Sequence, residues 1–311
     1  MTRAMRTAAA VVAFASVIVC SAAFSETEEI EPRLLYEIRD YPDTGFFQWI
    51  SSISTDETGD TLAVLGGDPV GVSLYRRGSG SPLKQILFKA GPEGGDWGRA
   101  AACGGKILAA RAGKVFEAAE NGELTESAVT ASEGAFKADI LLCDRRGRLI
   151  MADRKTARIA RFDAAGAPEM RIVKPEDAKL AARFPLKSLA DVATDYFGRV
   201  YALDPKSRAA IPFDESGRPM TPISGSMFSD APFPWDSPCV AADSRGRVWL
   251  VNEYEDSLDA YDSFGTPVAR VARHSSVGPR FISPVQLIVD SEDRLYVLDA
   301  ASVSVKVFDL R

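Results

Sequence analysis

Histidine is almost missing from this chain, with His274 the single copy, and asparagine occurs only at Asn121 and Asn252. One histidine excludes a multi-histidine zinc centre, and no Gly-x-Ser-x-Gly turn supplies the serine that a Ser-His-Asp hydrolase would place beside it. Cysteine is scarce too. Beyond Cys20 there remain Cys103, Cys143 and Cys239, an odd number without a Cys-x-x-Cys pair, so no disulfide framework and no thiolate zinc site follows, and buried free thiols are expected. Positive charge is in deficit: the net charge of -6 becomes -8 once Arg3 and Arg6 are discounted. No broad basic surface is left to neutralise phosphates, and nucleic acid is not an expected partner.

The two discounted arginines belong to a recognisable segment. Arg3 and Arg6 precede an uncharged run from Thr7 to Ser25, and acidic residues begin only at Glu26. This is the pattern of a secretory signal over residues 1–25, with small residues placed for cleavage after Ala23 or Ser25. The same run is long enough to stay as a membrane anchor, which is the alternative and the only expected contact with a membrane. The remainder, 26–311, is expected in a secreted or periplasmic location.

That remainder repeats. Arg148 is followed by Leu149-Ile150 and, fourteen positions on, by Phe162-Asp163; Arg199, Arg247 and Arg294 carry the same sequel to Phe213-Asp214, Tyr261-Asp262 and Phe308-Asp309. Weaker copies begin at Asp60 and Lys106. The six anchors are separated by 46, 42, 51, 48 and 47 residues, a period that strands and turns make into a propeller. Asp-x-x-Gly turns recur between the strands, as in Asp144 to Gly147, Asp195 to Gly198 and Asp243 to Gly246, where the carboxylate accepts from turn amides and glycine takes the positive φ. Blade six has Asp293 in place of the glycine. The expected fold is therefore all-β: a six-bladed propeller of four-stranded antiparallel blades. The chain stops after the third strand of blade six, so the alternating segment Arg33 to Arg39, with Leu34, Tyr36 and Ile38 on one side, is expected to close the ring against Val303 to Leu310.

Stretches such as LIVDSEDRLYVLDAASVSVKVFD give the chain a resemblance to the NHL-repeat family of six-bladed propellers from Trp49 to Arg311, strongest over 139–311 and thin in blade two. The resemblance implies a binding platform. Superfamily relatives include hydrolases and lyases, and the calcium-dependent lactonases among them bind metal through paired asparagines with Glu and Asp, a set not met residue by residue here. The resemblance also implies an aromatic before each innermost strand, matched by Trp97, Phe136, Phe184, Trp235 and Phe281.

Loops between the second and third strands and between successive blades share one face, and that mouth of the channel is the expected site. Its expected ligand-binding rim comprises Trp49, Trp97, Arg99, Arg111, Arg154, Arg208, Glu253 and Arg280, mixed in charge and suited to a protein or peptide. Asp153, Asp204, Asn252 and Asp299 end the second strands of their blades. They are expected to cap turns; under the alternative of a calcium-dependent lactonase-like or esterase-like hydrolase they would be metal ligands. A membrane-anchored sensor or assembly subunit is the third reading. No catalytic set and no cofactor is expected under the first.

Overall fold

The computed structural model describes residues 28–29, 33–41, 45–89, 97–129, 136–225, 233–275 and 278–311. The expected leader, 1–25, lies outside the described residues. Among those described, no helix is long and apolar enough to cross a membrane.

Six antiparallel blades follow one another around a ring. We letter the strands of each blade a to d from the channel outward. The innermost strands are Ile50–Thr55, Trp97–Cys103, Ile140–Cys143, Asp191–Thr194, Val240–Ala242 and Pro284–Val289. Each pairs with a strand b, which is wholly buried in blades three to five, as in Leu149–Asp153 and Val200–Asp204. Strand c follows after a short turn. Blade four departs from the pattern, because its outer edge reduces to isolated bridges from Ala210 to Ile223 and from Phe213 to Pro219. A short helix, Ala178–Arg183 capped by Asp177, lies in the insertion leading into blade four.

The core is divided rather than central. Six hydrophobic clusters form, each made from two neighbouring blades. One joins blades two and three through Ala101, Leu108, Phe136 and Phe162, and another joins five and six through Trp249, Leu258, Phe281 and Leu295. An aromatic at or before the start of strand a wedges into each seam, Phe47, Phe136 and Phe281 buried, Phe184, Trp235 and Trp97 partly buried. Flat rings fill a narrow gap and bury much area for few torsions.

Ring closure uses strand Arg33–Ile38, which pairs antiparallel with strand c of blade six, Ser304–Asp309. One detail differs from expectation. A bulge between Leu34 and Tyr36 shifts the register, so Leu34 is 48% exposed while Leu35 and Tyr36 turn partly inward beside the buried Ile38. An extra residue in a strand moves everything beyond it to the other face. Tyr36 also lies against Gly80 and donates to the Arg77 carbonyl, tying the closing strand to blade one. Deeper in the seam the Gln286 carboxamide accepts from Ile53 N at 3.0 Å and donates to Ile53 O at 2.8 Å. It therefore extends the hydrogen-bonding of one innermost strand onto the next.

The anchor arginines have a role that the repeat pattern alone does not disclose. Asp243 Oδ1 accepts from the backbone of Arg245 and Arg247, both at 3.0 Å, while Oδ2 takes Arg247 Nε at 2.6 Å and Trp249 Nε1 at 2.9 Å. Asp195 does the same with Arg199 and Tyr201. The arginine then reaches the next blade: a Cβ on Gly246 would meet Arg199 Nη2 at 2.7 Å, and one on Gly198 would meet Arg148 Nη2 at 2.7 Å. These glycines are required twice, by their positive φ of 75° and 79° and by the guanidinium packed on them.

Blade two has lost this turn, and here one expectation fails. Cys103 and Cys143 are not free thiols; they form a disulfide between the ends of strand a in blades two and three, with Cα atoms 5.3 Å apart. Corresponding ends of adjacent innermost strands lie side by side in a propeller, which brings residues one repeat apart within bonding reach. Cys239 is buried and free, and burial followed by the nearby Asp191 charge pushes its thiol pKa well up.

Candidate functional site

The face built from the b-to-c and d-to-a loops is shaped by the residues that end strand b. Asp204 accepts from the backbone of Lys187, Ser188, Lys206 and Ser207 and from both serine hydroxyls. Asp153 accepts from Lys137 N and Thr156 N, and Asp299 from Ile282 N, Ser283 N, Ala301 N and Lys306 Nζ. Asn252 accepts from Glu255 N and donates to Asp259. Each of the four is buried and engaged within its own blade. Among the described residues no group of three or more His, Cys, Asp or Glu is placed to hold a metal ion.

These caps hold strained turns. Four positions beyond Asp153, Asp204, Asn252 and Asp299 stand Ala157, Arg208, Asp256 and Val303, all with positive φ between 46° and 56°. A left-handed backbone at a residue other than glycine persists only where the surroundings enforce it, and the capping oxygens do so. Burial would raise the pKa of Asp204, but hydrogen bonds from Ser188, Lys187 and Ser207 outweigh it and hold the carboxyl below the usual range. The same balance, with Ser283 N and the Lys306 ammonium as the main donors, brings Asp299 down to about 2.

The expected rim residues separate into places. Trp97, Arg111 and Arg154 come together between blades two and three. The Arg111 guanidinium lies 5.0 Å from the Trp97 ring centre, and Trp97 packs on Phe88. Beside them Gly98, Gly113, Lys137, Asp139, Arg154 and Lys155 line a recess of about 1440 Å³ counting its open mouth. A Cβ on Gly98 would meet the Asp139 carbonyl at 3.0 Å and one on Gly113 the Lys137 side chain at 3.0 Å, so both glycines allow a close approach of blade three to blade two. Arg208 stacks on Trp235 at 5.1 Å beside blades four and five. Glu253 pairs with Arg273 at 2.7 Å, and Arg280 follows the backbone of the same entry loop. Trp49 is half-buried, its carbonyl accepting from Gly67 N.

Arg99 is elsewhere. It is only 7% exposed and reaches from blade two to Asp191 of blade four, 2.7 Å away, while Asp191 also accepts from Val240 N of blade five. This buried pair spans the channel near the loop-bearing mouth. Sequence position put Arg99 on the correct side of the ring but not at its rim: strand a runs along the channel, so a side chain there meets other blades before solvent.

No known protein-family pattern matches the chain, and no curated protein matches it. Solved structures do: 879 chains match its fold. One is a structural-genomics protein of unknown function from Bacteroides thetaiotaomicron, with a TM-score of 0.56 at 13% identity over 92% of this chain and 73% of that one. At that identity the likeness establishes the propeller fold and nothing of the activity.

Proposed function

We propose that the protein is an NHL-like, extracytoplasmic, non-catalytic binding platform that takes a peptide or extended protein segment in the recess between blades two and three. The observation that carries this reading is the Trp97–Arg111 stack standing beside an open, mixed-charge recess. Tryptophan and arginine concentrate binding energy at interfaces. The engaged state of Asp153, Asp204, Asn252 and Asp299 favours this over the calcium-dependent hydrolase. The Cys103–Cys143 disulfide supports an oxidising compartment outside the cytoplasm, in accord with the leader pattern.

The test is selection from a displayed random-peptide library on the full chain. Enriched peptides should lose at least tenfold in affinity, about 1.4 kcal/mol, with Trp97→Ala or with the exposed Arg154→Glu. Peptides that bind both variants as well as the parent protein would remove the site from this recess. Calcium-dependent turnover of aryl esters or lactones, abolished by chelation, would establish the hydrolase instead.

A further inference from the structure

The opposite mouth, formed by the a-to-b turns, opens into a funnel of about 710 Å³ counting its entrance. It is lined by the innermost strands, with Leu142 and Ile288 as partly exposed apolar side chains, while Ile53, Val192, Val240 and Leu287 are buried in the seams between blades. Arg99, paired with Asp191, also lines it.

The polar groups at its entrance are unequally satisfied. Asp56 accepts from Asp60 N and Thr58 Oγ1, and Glu57 from Gly104 N. Asp290 holds Arg77 Nη1, Tyr296 OH and the Arg294 backbone. Arg145, also at the entrance, has its guanidinium 4.9 Å from the Tyr196 ring centre, and among the described residues no acceptor pairs with its buried Nη1. The carboxylates there are supplied with donors, whereas among the described residues Arg145 Nη1 has no acceptor. Desolvation lowers the Arg145 pKa, and the charges of Asp290 and Asp293 only partly offset it.

We propose that this funnel is a second binding site, for a small organic monocarboxylate whose apolar body enters the channel while its carboxylate pairs with Arg145. Arginine offers a planar fork that matches a carboxylate, and the pair gains strength where walls exclude water. Tyr196 holds the guanidinium over the entrance, so little freedom is lost on binding. The site lies across the ring from the peptide recess and does not depend on it.

Hexanoate is a suitable probe, followed by ligand-observed NMR and calorimetry on the full chain, with hexylamine as the control of opposite charge. Saturable binding of hexanoate but not hexylamine is expected. Arg145→Gln should weaken hexanoate at least tenfold, Arg145→Lys less, and Leu142→Phe, which narrows the funnel without touching the arginine, should weaken it as well. Trp97→Ala should leave it unchanged. The proposal is overturned if hexanoate shows no saturable binding, if hexylamine binds equally well, if Arg145→Gln retains parental affinity, or if Trp97→Ala removes binding and so moves the ligand to the other face.

Discussion

The seam between blades two and three and the seam between blades four and five answer one mechanical demand by different chemistry. At the second, Asp195 grips Arg199 at 2.5 Å and the arginine lies on Gly246 of the following blade. At the first there is no such aspartate. The blade-two turn has shrunk to Gly104 and Gly105, and the anchor is Lys106, exposed and paired with Glu117 on its own blade. A lysine is a point charge without the fork needed to hold a turn and lean on a neighbour together. The disulfide occupies the same inner-strand end and ties the same two neighbours. What each seam requires, then, is a tie at the end of strand a, and its chemistry is free to vary.

The closing seam, where Arg77 of blade one pairs with Asp290 of blade six at 3.1 Å, depends in addition on a strand from the other end of the chain and should be the most sensitive. Deleting residues 26–40 exposes strand Ser304–Asp309 and removes the burial of Tyr36 and Ile38, about 1.5 to 3 kcal/mol for each side chain, or roughly 3 to 6 kcal/mol together. That is comparable with the net stability of a domain. We expect insoluble or molten protein by near-ultraviolet circular dichroism; a soluble deletion variant with an unchanged Tm would show that Gln286 and Arg77 suffice to close the ring.

The two kinds of tie can be weighed in one urea-denaturation series. Asp243→Ala leaves the buried Arg247 and Trp249 Nε1 without their acceptor and should cost about 3 to 5 kcal/mol. Replacing Cys103 and Cys143 together by serine should cost about 2 to 4 kcal/mol. Because the sites share no partner, the losses should add to within about 0.5 kcal/mol. A large departure from additivity would mean that the seams are not independent.

The smallest effect concerns the caps. Asp299 titrates at about 2 in the folded protein, below the ordinary value of 3.8, so its stabilisation is fully present above the ordinary value and is lost as pH falls toward 2. The contribution is about 2 kcal/mol. The stability difference between the parent protein and Asp299→Asn should therefore narrow between pH 5 and pH 2; a difference constant across that range would refute the cap as the source.

The regular part of the ring was legible because blades three to six keep Asp, Arg and the closing aromatic-Asp pair at fixed offsets, with Gly in the turn of all but blade six, and each residue in that spacing has a local cause. The closing strand was legible from alternation, yet the bulge at Leu34 was not, since a one-residue shift leaves the pattern of apolar residues almost unchanged. The disulfide was missed although a signal existed: Cys103 and Cys143 are 40 positions apart, close to one repeat, and both end strand a. The recess around Trp97 was only half visible, because the Arg111 stack depends on the shortened blade-two hairpin. Arg145 gave no sign at all; its neighbours at the funnel entrance, Asp290 and Tyr196, belong to other blades.

The closing strand has a consequence for biosynthesis. Glu37 meets Ser304 across 267 positions, so a segment made near the start of the chain must wait for one made near its end. At synthesis rates of about 5 to 20 residues per second that delay is roughly 13 to 50 s. Throughout it, five blades can stack on one another while the edge of the first faces solvent and Tyr36 and Ile38 have no partner. The ring can therefore close only once both ends of the chain are available, and chaperones that shield extended apolar strands have their longest opportunity on the residues that finally lock it.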